Sequence, residues 1–169
     1  MQFEVLYQEF ANSAEIIRTL LNGISQEDSQ IKPNKESWSI LEVTCHLYDE
    51  EREDFREHLD FILHHQKEEW HQIDPTSWVV ERKYNQQSFE KMKGRFFRER
   101  EESLEWLKGL ATTNWETTYT SQYGSMSAGE MFASWVAHDS LHIRQLVELR
   151  RYRIERIAQP YTIQYAGEW

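Results

Sequence analysis

Residues 127–150 read Ser127-Ala128-Gly129-Glu130-Met131-Phe132-Ala133-Ser134-Trp135-Val136-Ala137-His138-Asp139-Ser140-Leu141-His142-Ile143-Arg144-Gln145-Leu146-Val147-Glu148-Leu149-Arg150. Ser127 followed three residues later by Glu130 has the form of a capping box, in which each side chain satisfies a backbone N–H of a helix's opening turn. At about 100° per residue, Met131, Trp135, His138, His142, Gln145, Leu146 and Leu149 fall in one sector of that helix, with Ser140, Arg144 and Arg151 opposite. The helix is expected to end near Tyr152, where Arg150, Arg151 and Arg153 suit the negative C-terminal pole. Its apolar sector therefore carries two imidazoles, four residues apart, stacked one above the other on a face that must be buried.

The rest of the chain supplies partners for that face. Apolar residues recur at three- and four-residue steps in three further segments, and glycines and prolines fall mostly between them. A first helix is expected from about Phe3 to Asn22, with Phe3, Leu6, Phe10, Ile17, Leu20 and Leu21 on one face and Gly23 as a stop. After a linker with Pro33, Ser39-Ile40-Leu41-Glu42 is another capping box and opens a second helix reaching His64 or His65. This helix turns Ile40, Val43, Leu47, Asp54 and Ile62 inward, with His46 and Glu50 at the flank of that face. Residues 66–86 lack a clean period and contain Pro75, so they read as a long crossover with a short turn of helix, which lets the second and third helices run parallel. A third helix follows from about Gln87 to Leu110, with Phe89, Met92, Phe96, Leu104 and Leu107 inward, and Thr112 to Met126 reads as loop. The expected architecture is all-α: one domain over residues 1–169, a four-helix bundle with a long crossover between helices 2 and 3.

Composition narrows the function. A net charge of −10 is wrong for a nucleic-acid binder, which needs clustered Lys and Arg, and it disfavours anionic membranes. No apolar run approaches the roughly 20 residues of a transmembrane helix. Met1-Gln2-Phe3-Glu4 carries an acid where a signal peptide would be basic, so a soluble, uncleaved chain is expected. Cys45 is the only cysteine, which excludes an internal disulfide and suits a reducing cytoplasm. Seven tryptophans within a 14% aromatic content exceed what one small core needs. With an aromatic tail ending Tyr161, Tyr165 and Trp169, they suggest packing against the bundle or a partner, and a homodimer is expected.

His46, on the second helix, can reach the cavity that His138 and His142 face. Three imidazoles leave positions open on zinc, nickel or iron, as a catalytic centre requires and a closed structural site does not. The plain alternative is a set of core histidines hydrogen-bonded only to protein. Burying three of them beside Glu50 and Asp54 without an organising ion would, however, cost on the order of a few kcal/mol per unpaired group. Glu50 and Asp139 are the nearest carboxylates in sequence to accept the ligands' other ring N–H groups. Trp135 and Met131, one and two turns before His138, are candidate walls of a cofactor pocket.

Trp38-Ser39-Ile40-Leu41-Glu42 leading to His46-Leu47, then Trp78 and Tyr84, then His138-Asp139-Ser140-Leu141-His142-Ile143-Arg144-Gln145-Leu146, resemble the DinB-like (YfiT-like) family of metal-binding four-helix bundles over almost the whole chain. The resemblance implies one divalent ion on His46, His138 and His142. It also implies a small-molecule reaction: characterised relatives include S-transferases and isomerases that use low-molecular-weight thiols such as bacillithiol or mycothiol. It implies no polymerase activity.

Other signatures are weaker. Position 139 is Asp, so the His-Glu-x-x-His protease motif is absent, and the one Glu-x-x-His match, Glu68 to His71, lies in the crossover and not on a helix pair that could hold two irons. Cys45 turns about 100° away from His46 and reads as a packed thiol, with a nucleophile as the alternative. His58, His64, His65 and His71 read as surface residues, and the acidic stretch Asp49 to Asp54 as a solvated face except at Glu50 and Asp54. The leading expectation is thus a metal-dependent thiol S-transferase, in which the ion acidifies a bound thiol for attack on an electrophile. The alternatives are a metal-assisted hydrolase with Glu50 as base, a non-catalytic metal-stabilised stress-response or binding module, and a bare structural bundle.

Overall fold

A computed structural model describes residues 1–70, 72–122 and 124–168. The first helix spans Phe3–Leu21. The second runs without a break through Ile40–Glu50, a π turn Glu51–Phe55, and Arg56–His64. The third spans Phe89–Lys108 and the fourth Ala128–Ile157. Both expected capping boxes form, Ser39 with Glu42 and Ser127 with Glu130.

Contacts between the helices fix their directions. Phe3 meets Phe132 and Phe10 meets Trp135 at ring distances of 5.8 and 4.8 Å, so the first and fourth helices are parallel neighbours. Glu51 pairs with Arg100 and Arg56 with Ser103, so the second and third are parallel as well. Trp38 lies by His142 whereas Phe55 lies by Trp135, which makes the second and fourth antiparallel. The crossover that permits the parallel pair holds a helix, Pro75–Glu81, capped by Asp74, and a turn of 3-10 helix at Tyr84–Gln86. Tyr84 anchors it by donating from its hydroxyl to Asp49 at 2.6 Å.

The structure corrects several boundaries. The stretch 112–126, expected as loop, contains a β-hairpin in which Thr118–Ser121 pairs antiparallel with Gly124–Ser127. Thr118-Tyr119-Thr120 favours a strand, but four residues are too few to display a period. The fourth helix passes Tyr152 and ends at Ile157, because its arginines are tied to other elements. Arg150 donates to the carbonyls of Leu20 and Asn22 at 2.7 and 3.1 Å, satisfying the end of the first helix, and Arg153 and Arg156 both pair with Asp28. In the tail, Tyr161 and Tyr165 project into solvent and do not pack on the bundle; Trp169 lies outside the described residues, as does His71, the last residue of the Glu68-to-His71 motif.

The core is in two parts. One cluster gathers Ile17, Leu41, Leu47, Phe96 and Leu146, the other Phe3, Phe10, Leu59, Phe132 and Trp135. Arg100 stands between them, its guanidinium carbon 3.7 Å from the Phe10 ring centre and 5.3 Å from that of Phe96. All of its donor capacity is used: Glu51 and Asp139 each take two of its hydrogen bonds at 2.7–2.9 Å, and the Phe10 carbonyl takes a fifth at 3.3 Å. Burial works against the guanidinium's charge, but Glu51 and Asp139 outweigh it and raise Arg100 above its ordinary range. Glu50 is buried as expected, but the acidic stretch is otherwise less solvated than expected: Asp49 and Glu51 are buried too. The π turn shifts the helical register from Glu51 onward, so Glu51 faces inward where a uniform helical wheel would turn it out, while Asp49 is covered by Tyr84 and Arg82 of the crossover.

Candidate metal centre

The second helix carries His46 and the fourth His138 and His142, and their antiparallel packing brings the imidazoles together. One ring nitrogen from each lies within 4.8 Å of the others. His138 Nε2 and His142 Nε2 face each other at 3.0 Å. Two ligands about 2.0–2.1 Å from a tetrahedral ion stand roughly 3.3 Å apart, so this pair already has ligand spacing. His142 Nδ1 donates to the Gln145 carboxamide oxygen at 2.9 Å, which leaves Nε2 as the lone-pair nitrogen turned toward His138. Burial, reinforced by the neighbouring imidazoles, pushes His46 down to about 2 and His138 to about 3, and burial also lowers His142. The cluster is thus neutral at physiological pH, the state that binds a metal ion. Two imidazole nitrogens meeting at 3.0 Å can share one proton or one ion, and three neutral nitrogen donors fit a divalent first-row ion.

Behind His46 runs a ladder of polar side chains at four-residue steps along the second helix: His46, Glu50, Asp54 and His58. Glu50 Oε1 stands 3.7 Å from His46 Nδ1, beyond hydrogen-bond reach, and neither atom has a hydrogen-bond partner among the described residues. Burial, then the hydrogen bond with Asp54 and the charges of Asp54 and Asp49, raise the Glu50 carboxyl to about 9. Burial also pushes Asp54 upward, but hydrogen bonds from His58 and Glu50 outweigh it and hold Asp54 below the ordinary carboxylate range. His58 Nδ1 lies 2.6 Å from Asp54 Oδ1, and its ring stacks on Trp70 at 4.1 Å. His58 is therefore buried, against its expected place on the surface; His64 and His65 are exposed as expected.

The remaining candidates fall as follows. Asp139 is committed to Arg100 and does not orient an imidazole; Gln145 does so for His142. Met131 and Trp135 sit in the lower apolar cluster, where Trp135, 1% exposed, donates from Nε1 to Glu51. The aromatic rings against the imidazoles are Trp38, 4.8 Å from His46, and Phe55, 4.9 Å from His138. A wheel drawn on the fourth helix alone puts Met131 and Trp135 beside His138 and cannot see that Phe55 comes between from the second helix. Cys45 is buried, its Sγ 3.8 Å from the Tyr84 carbonyl, and burial beside Asp49 and Glu42 pushes its thiol up to about 12. It is a packed thiol and no nucleophile. No helix among the described residues is long and apolar enough to cross a membrane.

A family model described as the DinB superfamily matches residues 9–146. No curated protein matches the chain. Among solved structures, YfiT from Bacillus subtilis, described as a probable metal-dependent hydrolase with an unusual four-helix bundle topology, superposes with a TM-score of 0.77 at 12% identity, covering 90% of this chain and 87% of that one. At that identity the likeness is one of fold.

Proposed function

The chain belongs to the DinB superfamily, and from that premise we propose that it is a divalent-metal-dependent enzyme in which His46, His138 and His142 hold one ion and Glu50 accepts the proton of a small nucleophile. The observation that carries this reading is the convergence of three neutral, desolvated imidazoles with a buried carboxyl 3.7 Å behind one of them. When bound, the ion supplies a double positive charge that favours ionised Glu50 and lowers the pKa of a water or thiol held against it. The protein's own groups do the rest. Gln145 fixes the His142 tautomer, and Phe55 and Trp38 shield the imidazoles from solvent. Glu50, whose burial gives it high proton affinity, takes and holds the proton, and Asp54, which accepts from both Glu50 and His58 Nδ1, anchors the carboxyl in place.

Hydrolysis of a small molecule is the reaction this arrangement supports best, since water needs a base more than a thiol does. The description of the Bacillus subtilis neighbour points the same way. Thiol S-transfer is the second reading. Cys45 is buried and its thiol raised, so the nucleophile would have to be an external thiol such as bacillithiol. The exposed Tyr161 and Tyr165 fit burial in a homodimer, which a monomeric mass at micromolar concentration would contradict.

Elemental analysis of the wild type beside His138→Ala/His142→Ala comes first. One zinc, nickel or iron per chain in the wild type and little in the variant is expected; no metal in either, after incubation with zinc and nickel, removes the basis for an enzyme. With a panel of esters and amides, Glu50→Gln should lower kcat by about 10²–10⁴ with metal content unchanged. A metal-loaded wild type that turns over neither these nor thiol and electrophile pairs would instead be a metal-stabilised binding module.

A further inference from the structure

One groove of about 620 Å³ opens onto the imidazole cluster. His142 forms part of its wall, with Pro33, Trp38, Leu149 and Tyr152, and Gln145, which holds His142, lines it too. Its volume is within the roughly 300–1,000 Å³ usual for small-molecule sites. Trp38 is firmly posted. The Asn34 side-chain oxygen accepts from Glu36 N, Ser37 N and Ser37 Oγ on one side of it, and the Ser39 capping box, with Lys32 on Glu42, ties down the other. The indole plane lies parallel to the His142 ring, 1° apart in tilt with centroids at 6.4 Å.

Along the fourth helix Arg144 pairs with Glu148 and Arg151 with Glu155, and Glu36 adds one acid to the rim, so nothing there selects for an anion. A second groove, past Tyr48 and Asp49, is lined by arginines and acids and includes none of the three imidazoles. The apolar groove is thus the one continuous with the candidate centre.

We propose that this groove receives a planar, uncharged aromatic group of the substrate, placing the adjoining ester or amide carbonyl at the metal centre, with Trp38 and Tyr152 as the specificity-determining walls. The inference rests on the metal reading above. Stacking on these rings adds about 0.5–1.5 kcal/mol to simple burial of the aromatic surface. A benzoyl ligand should therefore bind about tenfold tighter than its acetyl counterpart.

The test uses the full-length protein loaded with cobalt(II), whose visible absorption reports ligation, titrated with benzohydroxamate and with acetohydroxamate. The two probes share a chelating head and differ only in the body that would fill the groove. A roughly tenfold preference for benzohydroxamate in the wild type, falling toward unity in Trp38→Ala and in Tyr152→Ala, is the expected result. Tyr152 contacts none of the three imidazoles in its role as groove wall, so its variant separates groove from centre if Trp38→Ala disturbs cobalt uptake. Equal affinities in the wild type, or a preference that survives in Tyr152→Ala, overturn the groove assignment while leaving the metal centre standing. Failure of the wild type to take up cobalt overturns the metal reading and this inference with it.

Discussion

Arg100 with its two carboxylates and the three imidazoles are both buried polar clusters spanned by the second and fourth helices, yet they are completed differently. Around Arg100 the hydrogen bonds close on themselves: five donated bonds, with Glu51 also accepting from Trp135. Around His46, His138 and His142 the inventory stays open, with two ring nitrogens facing each other and His46 Nδ1 opposite an equally unsatisfied Glu50 oxygen. A closed cluster needs nothing further and fixes helix register; an open one is a receptor for something that completes it. The two lie within one helical turn of each other, since Asp139 follows His138 directly in the chain.

The comparison can be broken most violently at the closed end. Arg100→Met leaves Glu51 and Asp139 buried without their cation, at a cost of about 3–5 kcal/mol. Thermal melts of the metal-free protein should show a drop of about 10 °C or outright failure to fold. The metal-free His138→Ala/His142→Ala variant, by contrast, should melt close to metal-free wild type, because the desolvation of the two imidazoles it removes offsets the two hydrogen bonds they make, to Gln145 and to each other. A large loss there would mean that the open cluster is structural after all.

Chelation comes next. Stripping the ion from wild type held at about a hundred- to thousandfold excess over Kd should remove about 3–4 kcal/mol, read as a fall in Tm, and should leave the double variant unmoved.

A smaller effect separates the clusters by pH. In the metal-free fold His138 takes a proton only near pH 3, whereas in the unfolded chain it does so near 6.5. The unfolded state therefore binds more protons in between, and wild type loses stability relative to the double variant as pH falls from about 6.5 toward 3. The loss is on the order of 1 kcal/mol per histidine over the first pH unit. Urea titrations at pH 7.5, 6.5 and 5.5 measure it; a wild type that gains stability relative to the double variant as pH falls contradicts the assignment.

The smallest response belongs to Cys45. Iodoacetamide at pH 8 should leave the native thiol unlabelled, with labelling complete only in denaturant, as mass spectrometry would show.

Much of this was legible in the sequence. The capping boxes at Ser39 and Ser127 mark the starts of the two helices that carry the imidazoles, and the four-residue spacing of His138 and His142 places both on the buried face. What stayed hidden depends on partners from elsewhere in the chain. Arg100 reads as one more polar residue on the third helix until Glu51 and Asp139 are seen to meet it. Phe55 and Trp38 approach the site from other elements, which no wheel of the fourth helix contains. The π turn is invisible to any fixed period, which hides the inward turn of Glu51, and Asp49 is buried by Tyr84 and Arg82 of the crossover. The burial of His58 did leave a signal, the repeat of four from His46 through Glu50 and Asp54, which a search for ladders and not only for pairs would find.

The parallel pairing of the first and last helices bears on how the chain is made. Arg150 caps the first helix across a separation of 130 residues. At roughly 5–20 residues per second on the ribosome, the apolar face around Phe10 and Ile17 waits on the order of ten seconds for its partner to emerge. Two of the three imidazoles arrive with that same fourth helix, so a nascent chain can hold no assembled centre until that helix has emerged. Throughout that interval the apolar face of the first helix lacks its cover from the fourth.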